Sequence, residues 1–133
     1  MTAVFADAFY YFALLNPKDA AHQKATHFAK HVSRNLLTTE WVLTEVGDGL
    51  SQWPRGRLAF VRLYAELVAR PDVRIVPFSA ELFAAGLELY AQRPDKEWSL
   101  TDCISFVVMT RDGVSEALTG DKHFEQAGFH KLL

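Results

Sequence analysis

Short apolar runs alternate along this chain with longer stretches of helical period. Val4-Phe5-Ala6 is an unbroken apolar run that ends on Asp7. A run of this kind suits a parallel strand covered on both faces. Phe9 to Leu15 predicts a short buried helix, and Asn16-Pro17 ends it. Asp19 begins an amphipathic helix with Ala20, Ala21, Ala25, Phe28, Ala29 and Val32 on its inner face. His22 and His27 lie on that helix and read as surface or edge residues. Asn35 to Thr39 is a second strand that ends in a helix cap. The next helix runs from about Glu40 to Gln52, with Trp41, Val42, Val46, Gly49, Leu50 and Trp53 on its apolar side. Pro54 breaks the chain, and Arg55 to Ala69 is again helical. Val73 to Val76 is a third strand. Ser79 caps a helix to about Gln92 with Leu82, Phe83, Leu87 and Tyr90 inward, and 93–98 is a loop. A helix then opens at Ser99 and stops at Arg111-Asp112-Gly113. It is apolar nearly all round through Cys103 to Met109, the mark of a buried helix. Glu116 to Thr119 is a fourth strand, and Phe129 to Leu133 fits a fifth, edge strand.

Strands that alternate with helices predict an α/β protein, a three-layer α/β/α sandwich around a parallel sheet of four to five strands. At 133 residues the chain fits one domain over 1–133, and 50% hydrophobic residues supply its core. No run is long enough to span a bilayer, and the first residues lack the basic region and cleavage site of a signal peptide. The single cysteine, Cys103, excludes an internal disulfide and a cysteine-based zinc site. These features predict a cytoplasmic protein. The net charge of −2 excludes nucleic-acid binding by bulk charge, so such a substrate needs a basic patch, a metal or a basic partner.

The acids carry the candidate chemistry. Asp7 ends a buried run, where a charge is costly unless paired or bound to a metal, although it also suits a helix cap. Glu45 lies on or beside the apolar side of its helix, where a salt bridge to Arg57 or Arg62 is the plainer account. Asp102 completes a Ser-x-x-Asp capping box with Ser99, at the start of a buried helix whose positive end favours a carboxylate. Asp121 follows the fourth strand as Asp7 follows the first. In a parallel sheet these acids reach the carboxyl edge, where α/β sheets bind ligands. Four converging carboxylates repel unless cations hold them. Oxygen ligands without Cys or His clusters suit magnesium or manganese, and such a site serves phosphoryl transfer with a metal-activated water.

With these residues in view, the chain resembles the PIN domains, and closely the VapC-type toxins of toxin–antitoxin modules. The matching segments are Val4 to Asp7, Ala13 to Pro17 with Asp19 and His22, Thr38-Thr39 with Glu45, Ser99 to Asp102, and Ala117 to Asp121 with Phe124. The resemblance implies strand order 3-2-1-4-5 and a divalent-metal ribonuclease whose acids are Asp7, Glu45, Asp102 and Asp121. It places Thr119 at a supporting hydroxyl position. It also implies an RNA substrate, a homodimer and a small antitoxin partner. Ala8 departs from the pattern, since many relatives carry Ser or Thr after the first acid. Two other enzyme classes fit worse. A haloacid-dehalogenase-like phosphatase needs an acid where Phe9 stands, and a receiver domain needs paired acids that the spacing does not supply. The remaining alternative is a PIN fold kept as an RNA-binding or scaffold module with little or no nuclease activity.

Overall fold

A computed structural model describes residues 3–133. Its centre is a five-stranded sheet in the order β3-β2-β1-β4-β5, with every pairing parallel. The strands are β1 (Val4–Ala6), β2 (Leu36–Thr39), β3 (Val73–Val76), β4 (Glu116–Leu118) and β5 (His130–Lys131). The helices are α1 (Ala8–Leu15), α2 (His22–His31), α3 (Glu40–Leu50), α4 (Gly56–Ala69), α5 (Ala80–Gln92), α6 (Leu100–Asp112) and α7 (Lys122–Gln126). Strand order and architecture are those the resemblance implied. Every residue of β1 and β2 is buried. Successive strand side chains point to opposite faces, so both faces are covered.

The register sets up the carboxyl edge. Ala6 lies opposite Leu118 in the β1–β4 pair, so Asp7 and Thr119 are the next residues along two neighbouring strands. Beyond β2, Thr39 Oγ1 accepts from the backbone N–H of Val42 and starts α3, which carries Glu45. The loop at 93–99 returns the chain to the same edge and leads into α6, whose third residue is Asp102.

Four sequence expectations need correction. First, α2 starts at His22 rather than Asp19, because Asp19 makes a local turn in which its Oδ1 accepts from the Ala21 N–H at 2.8 Å. Second, Ala29 and Val32 are exposed, and the buried residue of α2 is Ala25. Third, Gly49 and Trp53, read as part of the apolar side of α3, are exposed. His22, by contrast, is the edge residue expected, half-buried with Nδ1 2.8 Å from the Ala13 carbonyl oxygen, and ties α2 back to α1. Fourth, α5 turns its other face inward. Leu82 and Gly86 are buried, whereas Phe83, Leu87 and Tyr90 are exposed. Gly86 explains the choice, since an added Cβ would stand 2.3 Å from Ile104 Cγ1 of α6. The small face permits the closer approach, and hydrophobicity alone does not rank the two faces. Boundary differences elsewhere are small, and α7 adds an element that the hydrophobic pattern did not predict.

Candidate active site

Asp7 stands at the head of the central strand and is 6% exposed. It occupies the N-cap position of α1, yet its side chain makes no capping hydrogen bond, so the cap account of this residue fails. Its Oδ2 instead accepts from the Thr119 hydroxyl at 2.9 Å, as the strand register dictates. Thr119 Oγ1 in turn accepts from the Asp121 backbone N–H at 3.1 Å. One buried hydroxyl therefore fixes both strand-end acids. The Thr119 hydroxyl reaches Asp7 from the neighbouring strand.

Electrostatics shows which acids share a crevice. Burial pushes the Asp7 carboxyl up from 3.8 to about 7. The Thr119 hydrogen bond opposes that rise, the charges of Asp102 and Glu45 add to it, and the Ala8 backbone N–H eases it. Glu45 is exposed as a residue, at the rim, but its carboxyl is also raised. Loss of water around it is the leading cause, followed by the charges of Asp102 and Asp121. Neither Arg57 nor Arg62 pairs with it among the described residues, so the salt-bridge account of Glu45 is not realised. The structure thus brings all four acids into one field.

Asp102 keeps its capping role. The Ser99 hydroxyl accepts from the Asp102 N–H at 3.0 Å, and Asp102 Oδ2 accepts from the Ser99 N–H at 3.1 Å. The two accounts of this residue are compatible, because the cap uses only one carboxylate oxygen. Asp121 likewise caps α7, its Oδ1 accepting from the His123 N–H at 2.9 Å.

His123 was not singled out in the sequence. Its Nδ1 lies 3.0 Å from Asp102 Oδ2 and 3.5 Å from Asp121 Oδ1. Ligand atoms of Asp102, Asp121 and His123 all fall within 4.8 Å of one another, a separation that one cation spans. The signal in the sequence was a histidine two residues past a capping acid, in the first turn of a helix.

Among the described residues no lysine or arginine forms an ion pair with any of the four acids. A buried carboxylate with Asp102 and Glu45 in its field, Asp121 in the field of Glu45, and among the described residues no lysine or arginine paired with any of them make a donor set that fits a divalent cation. The oxygens are hard donors, and one imidazole nearby is tolerated by first-row divalent metals.

The chain is similar to known proteins in sequence and in fold. Residues 5–130 match the PIN domain family. The 23S rRNA-specific endonuclease VapC20 of Mycobacterium tuberculosis is 29% identical over 126 residues, covering 95% of each chain. The crystal structure of VapC20, described as a sarcin–ricin-loop-cleaving toxin, superposes with a TM-score of 0.86 at 28% identity over 96% of each chain. FitAcB from Neisseria gonorrhoeae shares the fold, with a TM-score of 0.69 at 17% identity over 98% of this chain and 96% of that one.

Proposed function

The chain belongs to the PIN-domain family, and from that premise we propose that it is a metal-dependent endoribonuclease, the toxin of a toxin–antitoxin pair. The observation that carries this reading is the convergence of Asp7, Glu45, Asp102 and Asp121 with no lysine or arginine paired to them among the described residues. In this reading the four acids hold magnesium or manganese. A bound cation there supplies Lewis-acid stabilisation of phosphoryl oxygens and lowers the pKa of water.

The chain's own residues do the rest. Thr119 holds Asp7 by one oxygen, and Ser99 holds Asp102 by one oxygen. The carboxylates are thereby fixed before any cation arrives, which reduces the reorganisation required on binding. Glu45, at the exposed rim, is the acid a polymeric substrate meets first.

The substrate in this reading is RNA, as for VapC20. The partner is a small antitoxin protein, and action on RNA places the pair in the cytoplasm. No described helix is long and apolar enough to cross a membrane. The chain acts as a homodimer. This is supported by a second apolar stripe on α4, where Leu58, Val61 and Val68 are exposed opposite the buried Leu63 and Leu67.

The test is incubation of the purified protein with mixed RNA, with magnesium, with manganese and with chelator. Cleavage that requires a divalent ion, and leaves 5′-phosphate and 3′-hydroxyl ends, supports the reading. Metal-independent cleavage, or none under any condition, contradicts it.

A further inference from the structure

His123 is the polar side chain in the crevice to which the reading above gives no task. Its surroundings fix it firmly. The next residue, Phe124, is fully buried and packs edge-on against Phe106 of α6, with ring centroids 5.0 Å apart. Trp98, in the loop before α6, donates from Nε1 to Gln126 Oε1 at 3.0 Å. Helix α7 is therefore pinned to both α6 and the loop that leads into it. His123 bridges the same two elements within the crevice.

The bridge is selective for one oxygen. Nδ1–H of His123 donates to Asp102 Oδ2, the oxygen that already accepts from the Ser99 N–H. Both protein donors to the Asp102 carboxylate thus converge on Oδ2, and among the described residues none donates to Oδ1. The same division holds at Asp121, where Oδ1 is engaged by the backbone and, among the described residues, none donates to Oδ2.

We propose that His123 is a positioning residue for the metal site. By its Nδ1 contact it holds the Asp102 carboxylate through Oδ2, so that Oδ1 is the oxygen that would be offered to a cation. The proposal rests on the reading of Asp102 and Asp121 as ligands and adds the residue that orients them. A capping bond alone leaves the Asp102 carboxylate able to pivot about one contact. A second donor on the same oxygen, from a separate pinned helix, removes that freedom. Partners that orient a ligand in this way typically change metal affinity by about 10- to 100-fold when removed.

The experiment is manganese binding to the otherwise unmodified protein, read by calorimetry and by the electron-spin-echo signal of the bound ion. Four proteins are compared: the parent, His123→Ala, His123→Asn and Asp102→Asn. Asparagine places an N–H donor on Cγ, where His123 carries Nδ1, so it retains the contact. Expected are affinity at least about tenfold weaker for His123→Ala, most of it restored in His123→Asn, and no directly bound nitrogen in the parent's echo signal. Melts in chelator confirm that each variant is folded. Equal affinity of His123→Ala and parent overturns the positioning role while leaving the metal site in place. Loss that asparagine does not restore, or a directly bound nitrogen, overturns it in favour of His123 as a ligand. If Asp102→Asn binds manganese as the parent does, the ligand reading itself fails, and the inference with it.

Discussion

At the scale of single residues, Asp7 concentrates the tension in the metal-free site. Its folded-state value, about 7, lies well above the ordinary 3.8. The ionised form is therefore disfavoured by folding. In chelator, stability contributed by this group is present near pH 4 and falls as pH climbs towards 7. The reduction stays in full above that. A rise from 3.8 to about 7 corresponds to an upper bound of about 4 kcal/mol. Asp7→Asn removes the charge and keeps an oxygen for the Thr119 hydroxyl. In chelator it should melt above the parent at pH 8, by less at pH 5, and close to it only near pH 4. Melts showing no gain at pH 8 would refute the account of Asp7. Asp7 and Glu45 stood out in the sequence because a buried strand end and an apolar helix face do not ordinarily carry a charge, whereas Asp102 and Asp121 occupy ordinary capping positions and stood out only as acids at the same sheet edge. The role of Thr119 was not legible from local pattern, because its partner is 112 residues away in sequence and becomes a neighbour only through the β1–β4 register. His123 was missed for a similar reason: its meaning depends on a five-residue helix that brings it against the start of α6.

At the scale of elements, the position of Asp102 depends on how α5 and α6 pack. Gly86 permits the contact. A Cβ there would lie 2.3 Å from Ile104 Cγ1 and 3.2 Å from the Ile104 backbone N and Cα. The side chain alone can turn aside, but the backbone atoms cannot. Gly86→Ala gains about 1 kcal/mol of helix propensity but loses about 1–3 kcal/mol to overpacking. The net effect should be a lower melting temperature. Because Ile104 lies two residues from Asp102, manganese affinity should weaken as well. A variant that melts at or above the parent would mean that α5 yields without strain. The periodicity of α5 announced a helix correctly and assigned its buried face wrongly. Phe83, Leu87 and Tyr90 are the more hydrophobic set, yet the face with Gly86 is the one that fits against α6. Packing distance, which a hydrophobic pattern does not encode, decided it. The buried helix α6 was legible because it is apolar nearly all round through Cys103 to Met109 and has no face to choose there.

At the scale of the whole molecule, strand alternation and the acids at the strand ends were enough to place a crevice at the carboxyl edge of a parallel sheet. The order β3-β2-β1-β4-β5 came from family resemblance, since alternation is compatible with several orders. The exposed stripe on α4 is also a property of the whole. Val61 is 62% exposed on a helix already apolar on its buried side. Under the proposed self-association, Val61→Glu should shift sedimentation from dimer to monomer and leave the fold intact. A parent that sediments as a monomer would contradict that association. The central claim concerns the crevice, and the most direct test is RNA cleavage by Asp7→Asn in manganese, measured beside the parent under single-turnover conditions. Removing one charge and one hard ligand from the buried centre of the site should lower the rate by roughly two orders of magnitude or more, although the variant folds at least as stably in chelator. Cleavage by Asp7→Asn at the parent's rate would show that the four converging carboxylates are not the nuclease site.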